Sequence, residues 1–224
     1  MKIGLIIAIE RELKSFLNNG SDIKSYTVSN RTVYETKIGN HEIYAMKSGY
    51  GIIDASSATQ LLITKYSCEL IVNFGVTGAL QTGLKVEDLF VVRKACNYDY
   101  DVSPIDPVKK HQYEEFRDEF IPLDDGYIDF VKSIYPNIKE AVVASGGRFI
   151  EKKEDKISLN NLGCNICDME IAGIARVCFL CGVKCLSIKC ISDTFEGDGG
   201  DFNKNVIASA ERAFSVLLNL LKKL

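Results

Sequence analysis

The sequence predicts an α/β fold, a three-layer α/β/α sandwich around a central mixed β-sheet, and three observations carry that expectation. Apolar runs of strand length recur along the chain between turn residues. Segments with apolar residues at helical spacing lie between them. Glycine-containing turns follow several of the runs, at the strand ends where open α/β sheets gather ligands. Strands separated by helices bury both faces of a sheet, which is what a layered arrangement requires.

The elements follow in order. Ile3–Ala8 is an apolar run of first-strand type, and Glu10, Arg11 and Glu12 come directly after it. Tyr26–Ser29 and Thr32–Ile38 read as a hairpin, which makes the sheet mixed. Glu42–Lys47 is a strand that ends in the turn Ser48-Gly49-Tyr50-Gly51, and Ile52–Tyr66 then carries a helical pattern. The strand Leu70–Phe74 ends in Gly75-Val76-Thr77-Gly78, and Leu89–Arg93 is the next apolar run. From Asn97 to Tyr127 the chain is rich in Asp, Tyr, Pro and Lys without periodicity, and a loop that long inside a compact domain tends to be functional. Ala141–Ser145 ends in Gly146-Gly147, Ala172–Cys181 is an apolar helix stopped at Gly182, and Cys185–Ile191 is a strand. Asn203–Leu224 closes the chain as a helix with Val206, Ala210, Phe214, Leu217 and Leu221 on one stripe. None of the glycine turns has the dinucleotide or P-loop spacing. No repeat, low-complexity tract or linker interrupts the chain, so residues 1–224 are expected to form a single domain.

Composition excludes several classes of function. Hydrophobic residues make up 46% of the 224, charged residues 25%, and the formal net charge of −3 indicates no basic face, so nucleic acid is not expected as a partner. The N-terminal apolar run is too short to span a bilayer and lacks a small-residue cleavage site, so no membrane association is expected. A cytoplasmic location follows, in which the eight cysteines stay reduced. Cys164-x-x-Cys167 and Cys178-x-x-Cys181 have the spacing of a zinc site. The second pair, however, falls within an apolar helix beside Val177, Phe179 and Leu180, where packed thiols are the expectation and no metal is assigned. Only His41 and His111 are available for histidine chemistry, and neither has a suggestive setting.

The chemistry is concentrated in Cys167-Asp168-Met169-Glu170-Ile171-Ala172-Gly173 and, one helix later, Lys189-Cys190-Ile191-Ser192-Asp193. These segments put acids at a strand-to-helix turn and at the end of the next strand. Breaking a C–N glycosidic bond leaves a cation-like sugar and a basic leaving group, so one carboxylate can stabilise the cation while one carboxylic acid protonates the base. An Asp after an apolar run also serves simply to cap a helix.

Several segments coincide in order: Met1-Lys2-Ile3-Gly4 through Glu12, Lys47-Ser48-Gly49-Tyr50-Gly51, Asn73 through Ala79, Asp168-Met169-Glu170 and Ile191-Ser192-Asp193. With them, essentially the whole chain resembles the nucleoside phosphorylase/nucleosidase superfamily, most closely its methylthioadenosine/S-adenosylhomocysteine nucleosidases. The resemblance implies a nucleoside phosphorylase-like fold and hydrolysis of a 5′-modified adenosine to adenine, in methionine salvage, with no metal or organic cofactor. It implies that Asp193 protonates N7 of adenine, with Ser192 orienting it, and that Glu12 activates the attacking water. Glu170 would accept from the ribose hydroxyls, with Met169 against the sugar. Phe149 would stack on the purine, and the Ile150 backbone would read its edge. Ile9, Tyr50, Val102, Ile105 and Phe202 would form an apolar 5′-pocket, and a homodimer is implied in which a partner's loop completes it. The chain departs from this pattern at Val76, where a serine beside the water is usual, at Lys189, where an arginine is usual, and after Ser145-Gly146, where an acid is usual. Two rivals remain at this stage. One is a phosphate-dependent purine nucleoside phosphorylase, although Asn73 and Val76 stand where its arginine and hydroxyl belong; the other is a non-catalytic nucleoside-binding protein.

Overall fold

The structure, a computed structural model, describes residues 1–224. It begins with strand β1 (Lys2–Ile7) and helix α1 (Glu10–Asn19), followed by the strands β2 (Lys24–Val28), β3 (Arg31–Ile38) and β4 (His41–Lys47). Helix α2 (Ile52–Tyr66) leads to β5 (Leu70–Ala79) and β6 (Leu89–Asn97). After the short β7 (Ile121–Pro122) come α3 (Asp125–Ile134), β8 (Lys139–Ser145), α4 (Lys153–Asn161) and β9 (Ile166–Asp168). Helix α5 (Ile171–Cys181), β10 (Lys184–Asp193) and α6 (Gly199–Lys223) complete the chain.

The expected strands, hairpin and three helices are all present, but β5 runs on through Gly75-Val76-Thr77-Gly78, where a turn was expected, because β10 and β9 pair with it there. Periodicity did not reveal α1, α3, α4, β7 or β9. Helix α3 starts inside the expected irregular segment, where the Asp124 side chain accepts from the Tyr127 N–H as its cap. Between β6 and α3 only the two-residue β7 is regular, so most of the expected long loop is a loop.

The sheet is mixed, as expected, but it is not the centre of a three-layer sandwich. Strand β10 pairs in parallel with β5 along most of its length, and its middle, Ile188–Cys190, also pairs antiparallel with β6. Strand β6 continues through β8 to β9, and β9 returns to β5 through Gly78 with Cys167 and Ala79 with Ile166. The path β5-β10-β6-β8-β9 therefore closes into a barrel, with β1, β4, β3 and β2 extending from β5 as an open sheet. The physical reason is the length of β5 and β10, ten residues each. Twist carries the far half of a long strand away from its first neighbour and exposes an edge that a second partner satisfies.

Most of β1, β5 and β10 is buried, as apolar parallel strands covered on both faces must be. One apolar core joins the sheet to α2 and α5 through Ala58, Leu62, Ile171 and Ile174. A second joins it to α1 and α6 through Leu13, Phe16, Phe214 and Leu217. No helix is long and apolar enough to cross a membrane.

Candidate active site

The first acid is placed by the junction of β1 and α1. Glu12 occupies the third position of α1, and its Oε2 accepts the N–H groups of Ala8 at 3.1 Å and Ile9 at 3.2 Å, donors that the start of a helix leaves free. Its Oε1 accepts the Val76 N–H at 2.9 Å, so β5 supplies a backbone donor. Neighbouring Thr77 does not replace the absent serine, because its hydroxyl donates to the Cys167 carbonyl at 2.7 Å. Burial pushes the Glu12 carboxyl up, opposed by the charge of Lys189 and by the three backbone donors.

The second acid stands at the start of α5. Glu170 Oε1 accepts the Gly51 N–H at 3.0 Å, which ties the turn after β4 to the end of β9. Burial, with the charge of Asp168 added, pushes its carboxyl up to about 8, against the pull of Lys189. Asp168 holds this corner together. Its Oδ1 accepts the Ser145 hydroxyl at 2.5 Å and its Oδ2 meets Lys189 Nζ at 2.7 Å, with both side chains of that ion pair 2% exposed. Burial disfavours the Lys189 ammonium, but Asp168, Glu170 and Glu12 together more than offset this and raise it. The departure at Lys189 thus places a cation among three carboxyl groups.

The third acid ends β10. Asp193 is 2% exposed, and its Oδ1 accepts the Ser192 hydroxyl at 2.8 Å. Burial raises its carboxyl, opposed by the Ser192 hydrogen bond and the charge of Lys156, while Asp201 adds to the rise. The acids come this close because glycine lines the intervening strand. A Cβ on Gly78 would lie 2.7 Å from Asp193 Oδ2, and one on Gly75 would collide with the Glu12 carboxylate.

These side chains face one cavity, lined by apolar groups with the three acids among them. Glu12, Asp193, Ile9, Tyr50, Val76, Phe149, Ile150, Met169, Glu170, Ser192 and Phe202 all line it. Phe149 and Phe202 meet edge to face, with ring centroids 5.6 Å apart. Val102 and Ile105 do not line it; Ile105 is 82% exposed on the loop between β6 and β7, so the 5′-pocket expected from one chain lacks this wall.

Sequence reasoning missed several supporting residues. Lys156 gave no signal because it looks like a surface residue until the fold buries it, and Asp168, although it stands in a singled-out motif, showed no sign of its pairing with Ser145 and Lys189. The acid absent after Ser145-Gly146 is replaced from elsewhere, since Asp99 Oδ2 accepts the Gly147 N–H at 2.5 Å. The cysteines form no common cluster. Cys164 and Cys167 pack with Cys96, Tyr98 and Ile150, whereas Cys178 belongs to the core beneath α5.

Three buried acids around one cavity, two at helix starts and one at a strand end, can protonate a leaving group, stabilise a cation and orient a nucleophile. The sequence pattern of the Phosphorylase superfamily matches residues 2–222. The chain belongs to the phosphorylase superfamily. Among superfamily relatives, a 5′-methylthioadenosine/S-adenosylhomocysteine nucleosidase from Buchnera aphidicola is 30% identical over 92% of this chain and 91% of its own length. An aminodeoxyfutalosine nucleosidase from Campylobacter jejuni is 26% identical over the full length of both proteins. The solved 5′-methylthioadenosine/S-adenosylhomocysteine nucleosidase of Helicobacter pylori superposes with a TM-score of 0.94 at 28% identity, covering 100% of this chain and 99% of that one. That structure was solved with an aminopyrrolopyrimidine joined to a propynylthiomethyl pyrrolidinol.

Proposed function

We propose that this superfamily member hydrolyses the N-glycosidic bond of 5′-methylthioadenosine, S-adenosylhomocysteine or a related 5′-modified adenosine and releases adenine. The observation that carries the reading is the convergence of Glu12, Glu170 and Asp193, all buried, on one cavity. Asp193, whose protonated form is favoured because burial penalises its charge, delivers its proton to N7 of the purine as the bond from C1′ to N9 breaks. Glu170 accepts from the ribose hydroxyls. Those donors favour its charged form, and the resulting carboxylate stabilises the oxocarbenium-like sugar. Glu12 holds a water on the other face; the water oxygen bonds to C1′ and its proton passes to Glu12. Phe149 stacks on the base, while Met169 packs against the sugar.

Hydrolysis is favoured over phosphorolysis by where the cations are committed. Lys189 is paired with Asp168, Arg148 with Asp155 and Lys47 with Glu10; Arg11 has no carboxylate partner but is stacked on Phe202, bonded to Asn203 and outside the cavity lining, so the segment of β5 at Gly75 and Val76 lacks the fixed positive donors that phosphate needs. Asn73 is buried, donating to the Ile6 carbonyl and accepting from Ser187. The 5′-pocket is completed in a homodimer, where a partner's exposed loop supplies the wall that Ile105 does not supply in its own chain. We place the reaction in the cytoplasm and in methionine salvage, with residues 1–224 acting as one domain.

The test is incubation with 5′-methylthioadenosine in phosphate-free buffer. Adenine and the free thiosugar are expected, at a rate that added phosphate does not change. A sugar 1-phosphate formed only with phosphate present would establish the phosphorylase instead. Asp193→Asn should lower kcat by about 10²–10⁴-fold, the range of a lost general acid, with the fold retained by circular dichroism.

A further inference from the structure

At one end of the cavity Ile9, Val76 and Phe202 pack with Ala8 and Val206 as an apolar collar. Immediately outside it lies a charge with no counter-ion. The Arg11 guanidinium stands over the Phe202 ring at 4.9 Å, and its Nη1 donates to Asn203 Oδ1 at 2.8 Å. Five of the seven arginines in the chain pair with a carboxylate, whereas Arg11 and the distant Arg117 do not. Acids of the same two helix starts are engaged elsewhere: Glu10 is bonded to Lys47 at 2.7 Å, and Asp198 accepts the N–H groups of Gly200 and Asp201. Stacking and the amide contact therefore hold a planar fork in place while most of its donors remain free, the geometry that suits a carboxylate.

We propose that Arg11 is a specificity-determining residue that reads a carboxylate at the end of the 5′-substituent. The apolar collar takes the thioether stem, and the guanidinium takes the terminal carboxylate a few bonds beyond the sulfur. The preferred substrates are then 5′-thioadenosines whose tail carries a terminal carboxylate, of which S-adenosylhomocysteine, with its zwitterionic amino-acid tail, is one, over those with a bare alkyl group such as methylthioadenosine. This inference rests on the nucleosidase reading above and deepens it.

The experiment measures kcat/KM for S-adenosylhomocysteine and for methylthioadenosine with the parent protein and with Arg11→Met, Arg11→Lys and Arg11→Glu. A second pair of substrates, a 5′-carboxypropylthio-adenosine and its carboxamide, isolates the charge. The readout is the ratio of acidic to neutral substrate, which a misfolded fraction leaves unchanged because it lowers both rates alike. Arg11→Met should reduce the ratio about tenfold, Arg11→Lys less because one ammonium replaces the fork, and Arg11→Glu more. The parental preference should weaken as salt rises, since the contact is partly open to solvent. A ratio within twofold of the parent in Arg11→Met and Arg11→Glu would overturn the role of Arg11 while the nucleosidase reading stood. Failure of the parent to release adenine from any of the four substrates would overturn both.

Discussion

At the residue scale, the site concentrates buried carboxyl groups whose charged forms the fold disfavours. Glu170 is the clearest case, with a carboxyl pushed up to about 8 from an ordinary 4.5. Between those values the folded protein holds a proton that the unfolded chain has released, so stability from this group is complete below about 4.5 and declines as pH rises through about 8. Glu170→Gln mimics the protonated form and removes the dependence. In thermal melts from about pH 5 to about pH 8, the Tm difference between variant and parent should grow by a few degrees in favour of the variant. Turnover should be lost at the same time, since the amide cannot stabilise the sugar cation. A Tm difference that stays flat over this range would show that Glu170 is ionised in the free protein. The substitution therefore separates what the acid costs the fold from what it contributes to the chemistry.

Elements set these groups in place, and α4 does so in an unexpected way. Lys156 is fully buried on α4 without a carboxylate partner, and its ammonium donates to the carbonyls of Thr194 at 3.0 Å, Phe195 at 3.1 Å and Gly197 at 2.8 Å. The same stretch ties Glu151 to the Gly199 N–H and pairs Lys153 with Glu196. Helix α4 thereby clamps the segment that leaves Asp193 for α6. Lys156→Met keeps the length but takes the donor from all three carbonyls, of which only that of Thr194 retains another, the Gly197 N–H, so urea unfolding should show a loss of about 2–4 kcal/mol. Lys156 also opposes the protonation of Asp193, so its removal should move the alkaline limb of the kcat profile to higher pH. An unchanged limb together with unchanged stability would show that the clamp is dispensable.

For the whole molecule, barrel closure brings β5, β9 and β10 together at the acids, while several large apolar side chains remain outside. Ile53 is 85% exposed, Ile105 82% and Tyr50 59%, and Tyr50 also lines the cavity. An apolar face that reaches the rim of a site fits the proposed homodimer. Sedimentation equilibrium should give a dimer for the parent. Ile53→Glu should shift it toward monomer and raise KM for methylthioadenosine several-fold, because the partner's loop is then lost. A monomeric parent with full activity would remove the partner from the site.

The strands β1, β4 and β10, the first half of β5, the helices α2, α5 and α6, and the candidate acids were legible in the sequence. Each of these is encoded locally, as an apolar run, a periodic stripe or an acid beside a turn. The sequence did not reveal α4, whose inward face carries a lysine, or the three-residue β9, which is too short to show alternation. It also suggested a sandwich where the sheet closes, because closure depends on which edges of two long strands find partners, and no local pattern records that choice. The same limit applies within the site. Lys156 and Asp99 look like surface residues in a sequence, and Asp168 and Lys189, although they stand in singled-out segments, carry no mark of their pairing; only tertiary structure buries Lys156, joins Asp168 to Lys189 and brings Asp99 to the Gly147 N–H. The reason is that the energy of a charge depends on what surrounds it, and those surroundings come from segments far apart in the chain.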